Sequence, residues 1–135
     1  METTSSDTSH ADDVAQIRST IEPWNRCCLE RDWGSLLAMC TEDILFSGPG
    51  GEKVVGDAVR AWLDAFPVQT HLEWDFDRLE VSGNLATGSG SGRMTLEVEG
   101  QATTLSFDFC DVFRKGEDGQ WRYSSVIFNE NPPSQ

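Results

Sequence analysis

Basic side chains are scarce in this sequence. Ten Lys and Arg stand against 23 Asp and Glu over 135 residues, a formal net charge of −13. A field of that sign repels phosphate backbones and anionic membrane surfaces, so neither nucleic acid nor a membrane is an expected partner. It admits neutral or cationic ligands more easily than polyanions. No apolar run is long enough to span a bilayer. The first ten residues, Met1 to His10, contain neither the basic start nor the apolar stretch of a secretory signal, and the expected address is the cytoplasm. Histidine is limited to His10 and His71, and the four cysteines, Cys27, Cys28, Cys40 and Cys110, match no zinc or redox spacing. They read as small, mostly buried thiols. Asp75, Asp77 and Glu80 alternate with Trp74 and Phe76 and read as a solvated strand face. With no His/carboxylate set at ligand spacing, neither a metal nor another cofactor is expected.

Aromatic side chains are plentiful: five Trp and seven Phe, beside a single Tyr. So many large rings in one small domain either fill its core completely or leave a flat apolar slot, and both outcomes stay open at this point.

The order of elements argues an α+β fold. Residues 1–11 are polar and expected to be disordered, as is the tail 132–135. A single domain spans 12–131. Asp12 or Asp13 can cap a first helix whose apolar stripe is Val14, Ile17, Ile21, Trp24 and Cys28, with Pro23 as a kink or irregular turn. Asp32 can cap a second helix. Ile44-Leu45-Phe46 is a short strand broken by Gly48-Pro49-Gly50-Gly51. A third helix carries Val59, Trp62, Leu63 and Phe66 and stops at Pro67. Four long strands follow, near Thr70–Val81, Leu85–Val98, Thr103–Arg114 and Trp121–Phe128. Gly88, Gly90 and Gly92 share one face of the second of these with Met94. They make room either for sheet curvature and a neighbouring ring or for a ligand, and curvature is the preferred reading.

These residues resemble a known family. Glu30-Arg31-Asp32-Trp33, Thr41-Glu42-Asp43-Ile44-Leu45-Phe46, Gly48-Pro49-Gly50-Gly51, Val55-Gly56, Val81-Ser82-Gly83-Asn84-Leu85-Ala86, Asp111-Val112-Phe113-Arg114-Lys115 and Asp118-Gly119-Gln120-Trp121 are similar to the SnoaL-like branch of the nuclear transport factor 2-like superfamily. The resemblance covers about Asp12 to Asn131. It implies a cone-shaped, curved antiparallel sheet with a mixed edge, wrapped on three N-terminal helices and open at one end to an apolar pocket, in a chain that forms a homodimer. Relatives include ketosteroid isomerases, polyketide cyclases, epoxide hydrolases, dehydratases and non-catalytic binding domains, so fold alone cannot select among them.

Laid on the ketosteroid isomerase pattern, the oxyanion-hole tyrosine falls on Trp24, the general base falls near Gly48, and the protonated aspartate is matched by Asp111. An indole N–H donates a hydrogen bond but transfers no proton at neutral pH, and Gly48 has no side chain. Asp111 shares a strand face with Phe107, Phe109 and Phe113. A carboxyl among phenyl rings loses hydration, and its pKa rises. The alternative has Asp111 paired with a polar group such as Arg122. His71 is a candidate base with Asp111 as its orienter. Trp24, Trp62, Phe66, Trp74 and Phe128 are candidate pocket walls, together with Cys28, Phe46, Met94, Phe109 and Phe113, and Asn129 stands at the mouth. The expected function is acid/base chemistry, an isomerisation, cyclisation or dehydration of a small apolar polyketide-, terpene- or steroid-like compound. The alternative is a ligand-binding or accessory domain without chemistry.

Overall fold

The computed structural model describes the backbone of residues 2–131 and the side chains of residues 10–131. Met1 and the tail at 132–135 lie outside the described residues. Helices come first and strands after, as the α+β pattern requires. The helices are α1 (Glu2–Arg18), α2 (Ile21–Glu30), α3 (Trp33–Ala38) and, between strands, α4 (Ala58–Ala65). The strands are β1 (Cys40–Ser47), β2 (Lys53–Val55), β3 (Val68–Ser82), β4 (Leu85–Val98), β5 (Gln101–Lys115) and β6 (Trp121–Glu130). They form one sheet in the order β2-β1-β6-β5-β4-β3, antiparallel throughout except for β1 alongside β6, which is parallel. The mixed edge of the expected cone is this β1–β6 pair.

Two helix boundaries differ from the sequence expectation. α1 begins at Glu2 and covers the stretch expected to be disordered; no Gly or Pro interrupts residues 2–18. Asp13 is therefore no cap. Its carboxylate accepts from the Trp121 indole (3.0 Å) and from Lys115 (3.2 Å), while Gln16 accepts from the Trp121 backbone N–H, so α1 is tied to the β5–β6 hairpin. The break falls at Ser19–Thr20 rather than at Pro23. Pro23 then sits in the first turn of α2, where its missing N–H would have had no intrahelical partner, and no kink is needed. Asp32 caps α3 as expected, accepting from Ser35 N at 3.2 Å.

The four long strands alternate as the sequence indicates. On β5, Phe107, Phe109, Asp111 and Phe113 are buried while Ser106, Asp108 and Cys110 are exposed. The β4–β5 hairpin closes through Glu99 (φ 53°) and Gly100 (φ 82°), two consecutive left-handed residues that match the right-handed twist of the strands. β3 is the long outer edge. Its exposed Glu73, Asp75, Asp77 and Glu80, with register shifts at Gln69/His71 and Phe76/Arg78, make that edge a poor template for another strand.

The glycines of β4 account for the curvature. A Cβ on Gly88 would stand 2.5 Å from Phe76 Cε1, and one on Gly92 would stand 2.7 Å from Phe107 Cζ. On Gly90 it would collide with the backbone carbonyl of Asp75. The space is thus taken by β3 and by rings of β3 and β5, not by a ligand. Gly90→Ala must push β3 away and is expected to cost about 1–3 kcal/mol in urea unfolding. Thr87→Ala, on an exposed position of the same strand, is expected to stay within about 0.5 kcal/mol of the wild type. Equal effects for the two variants would contradict this account of the bend.

Candidate functional site

The concave face of the sheet and the helices enclose a cavity of about 80 Å³. The rings therefore do not fill the cone; they leave a slot. An apolar cavity of roughly 150 Å³ accommodates benzene, so the enclosed space suits only a handful of heavy atoms. Trp24, Trp33, Leu36, Phe46, Met94, Phe107 and Phe109 are buried wall residues, and Trp62, Phe66, Leu72, Trp74 and Phe128 are half-buried ones.

Each element delivers its share for a local reason. The stripe of α2 carries Trp24 and Cys28 inward. Trp24 stacks on Tyr123 at 4.2 Å between centroids and lies parallel to Phe46 at 6.2 Å. α4 contributes Trp62, Leu63 and Phe66. Arg31, the left-handed C-cap of α2 (φ 58°), lies over the Trp33 ring and donates to the carbonyls of Asp64 (2.9 Å) and Phe66 (3.0 Å), which holds the end of α4 against α2. Trp74 keeps its ring on the wall while its indole N–H donates to Asn25 Oδ1 at 2.6 Å.

Asp111 stands in this wall and is 4 % exposed. Its cross-strand neighbours are Gly88 and Val126. Oδ1 is buried with no hydrogen-bond partner among the described residues. Burial raises the pKa of this carboxyl well above the ordinary value, and the Ile127 backbone N–H opposes that only in part. The alternative pairing with Arg122 is not formed: Arg122 binds Asp118 at 2.7 Å. Leaving a buried polar atom unpaired costs about 1–3 kcal/mol.

The surrounding titratable groups are neutral. Burial pushes the Cys28 and Cys40 thiols up to about 12. Tyr123 is raised well above its ordinary value by burial and then by the neighbouring Asp111. Its proton is committed. Thr20 has one hydroxyl proton and gives it to the Ile17 carbonyl (2.6 Å), so the Tyr123 hydroxyl donates to Thr20 Oγ1 at 2.7 Å.

Of the residues singled out by sequence, Trp24, Cys28, Phe46, Trp62, Phe66, Trp74, Met94, Phe109, Asp111 and Phe128 line the cavity together. Three do not. His71 is exposed on β3 with Nε2 2.6 Å from Glu73 Oε1; it alternates with the inward Leu72 and Trp74 and so faces outward, away from Asp111. Asn129 is exposed on β6, and Phe113 is packed beneath the wall against Tyr123. Gln69 was missed. It is a buried amide in the cavity wall, within hydrogen-bonding reach of Cys28. Strict alternation from Leu72 and Trp74 puts it on the outer face, and the register shift between Gln69 and His71 brings it inward, so the strand pattern carries no signal for it. Gly48 has its side-chain space filled: a Cβ there would lie 3.1 Å from Trp62 Cζ2. No group of His, Cys, Asp and Glu among the described residues is arranged to hold a metal, and no described helix is long and apolar enough to cross a membrane.

Comparison with known proteins supports the fold. A ketosteroid isomerase-like protein from Erwinia carotovora atroseptica superposes with a TM-score of 0.78 at 18 % identity, covering 88 % of this chain and 96 % of that one. A protein of unknown function from Mycobacterium tuberculosis gives 0.80 at 21 %, covering 93 % and 76 %. An NTF2-like protein with a cystatin-like fold from Novosphingobium aromaticivorans gives 0.77 at 17 %, covering 99 % and 92 %. At these identities the likeness is one of fold. No curated protein matches the sequence. The SnoaL-like domain model matches residues 21–124, which include α2 to α4 and most of the sheet, and the chain belongs to the SnoaL-like family.

Proposed function

We propose that this chain binds a small, neutral, apolar compound in its pocket and isomerises, cyclises or dehydrates it by acid/base chemistry, with Asp111 as the proton donor. The observation that supports this is the unpartnered, buried Oδ1 in an otherwise apolar wall. A carboxyl kept protonated near neutral pH offers a proton where water is excluded. The wall offers no second free proton carrier, since Cys28 titrates near 12 and the Tyr123 proton is held by Thr20. Asp111 must then both give and take. In a dehydration it protonates the leaving hydroxyl, water departs, and the resulting carboxylate removes a proton from the adjacent carbon, which restores the acid. Gln69 is a buried amide of the same wall and would orient a substrate oxygen. With about 80 Å³ enclosed, a polyketide-, terpene- or steroid-like compound has only one end inside.

A binding domain without chemistry is the second reading. It is favoured by Trp62 against Gly48 and by Trp24 where related isomerases place their tyrosine. The cytoplasm and a homodimer through the outer sheet face belong to the proposal. That face is polar, with Ser91 donating to Asp108 at 2.7 Å and Thr95 paired with Thr104 at 2.8 Å. A monomer mass in light scattering would remove the dimer.

Asp111 makes stability depend on pH with a definite sign. Between the ordinary value of 3.8 and its raised native pKa, the folded chain holds a proton that the unfolded chain has lost, so this group's contribution falls as pH rises through that window. Asp111→Asn cannot ionise. Its stability relative to wild type, from urea melts across the window, should improve steadily with pH; a gap that stays constant would mean an ordinary carboxylate. In catalysis, Asp111→Asn should lower kcat by about 10²–10⁴-fold on hydroxy-ketone or enone substrates. Unchanged turnover would exclude Asp111 as the acid, and ligand binding without turnover in the wild type would establish the binding domain.

A further inference from the structure

The wall has a second chemical character beyond its acid. Four of the five tryptophans, Trp24, Trp33, Trp62 and Trp74, line this cavity, with phenylalanines between them, and no Lys or Arg is among its lining residues. The faces of aromatic rings carry negative charge density and attract desolvated cations, Trp most strongly. One carboxyl, nine-tenths buried and with a free oxygen, stands among them. The net charge of −13 draws cations toward the molecule and repels anions.

We propose that this cavity takes a small organic cation, an alkylammonium of a few heavy atoms, held by the aromatic wall with the Asp111 carboxylate as its counter-charge. The neutral substrate of the previous section uses the protonated form of Asp111, and the ammonium uses the ionised form. On binding, the O–H bond of the Asp111 carboxyl breaks, its proton leaves to solvent, and the carboxylate pairs with the cation: one proton is released for each cation bound. The inference rests on the placement of Asp111 in the wall and not on turnover.

The groups that face Asp111 leave it in control of the pH dependence. Cys28 on α2 and Cys40 on β1 titrate near 12, and Tyr123 on β6 is raised above its ordinary value, so all three stay neutral where Asp111 responds. β4 presents Gly88, α3 presents Leu36, and β3 presents the amide of Gln69. The Glu52 carboxylate lies near Gly48, its Oε1 3.4 Å from where a Cβ would stand, and is exposed.

Isothermal titration calorimetry with tetramethylammonium chloride at constant ionic strength tests this, with tert-butanol as the neutral compound of the same skeleton. In the window between the ordinary carboxylate value of 3.8 and its raised native pKa, where Asp111 is protonated in the free protein, tetramethylammonium affinity should rise with pH, by up to about tenfold per unit. Buffers of different ionisation enthalpy should report proton release on cation binding and none on tert-butanol binding. Asp111→Asn should abolish the pH dependence and most of the affinity for the cation. Trp62→Leu, at the half-buried rim, should weaken the cation by about threefold to thirtyfold and carries the test if the Asn variant does not fold. The proposal fails if tetramethylammonium does not bind, if tert-butanol binds as tightly with the same pH profile, or if Asp111→Asn retains the cation. Any of these leaves the acid role untouched, because that role is read from turnover of neutral substrates.

Discussion

The pocket depends on one close approach, that of the β3 backbone to the glycines of β4. A strand with side chains at 88, 90 and 92 would hold β3 farther away and flatten the sheet. Without them, β3 and the rings of Phe76 and Phe107 come in to contact distance, and the sheet coils toward the helices. Coiling turns the inward faces of β3, β5 and β6 toward one another instead of leaving them side by side. Trp74, Phe109 and Phe128 then converge, and the edge-on contact of Trp74 with Phe109 at 5.0 Å fixes their packing. The cavity is the remainder once these rings meet α2 and α4.

Burial of a carboxyl at this spot also follows from the bend. Asp111 pairs with Gly88 on one side and Val126 on the other, and neither of these two residues has a polar side chain to offer it. Basic residues find acids outside the pocket, as Arg122 of β6 does with Asp118 and Arg18 of α1 with Asp75. Segregation of charge to the surface leaves the pocket wall with one carboxyl, whose pKa burial raises well above the ordinary value. Stability of a domain is about 5–15 kcal/mol in all, and an unpaired buried oxygen removes a noticeable part of it. Retaining it is consistent with a use in the pocket.

Much of this was legible in the sequence. Period-two alternation marked all four long strands, because their outer face is wet and their inner face dry. Asp111 among phenylalanines was visible for the same reason. What failed were inferences that needed a bend or a third element. His71 shares strand parity with Glu73 and faces outward with it, opposite Leu72 and Trp74, whereas the register shift between Gln69 and His71 brings Gln69 inward. Tyr123 escaped notice because its hydroxyl is satisfied by Thr20, distant in sequence and brought near only by the α1–α2 break. Whether the rings filled the cone depended on crossing angles and centroid distances, quantities that no one-dimensional pattern contains.

Gly48 shows how the same fold can change its chemistry. In the related isomerase pattern that position holds the base. Here the missing side chain leaves a space that Trp62 enters from α4, and Arg31 keeps α4 in place by binding its last carbonyls. Exchange of a carboxylate for an indole face removes a proton acceptor and adds apolar, π-rich wall at the same depth. The change suits a site in which one carboxyl performs all the proton transfer and the rings select the ligand. Trp62 and Phe66 are half-buried in the wall, and their placement is set by the buried Val59 and Leu63 of α4, by Phe46 of β1 against Trp62 at 5.6 Å, and by the two hydrogen bonds from Arg31.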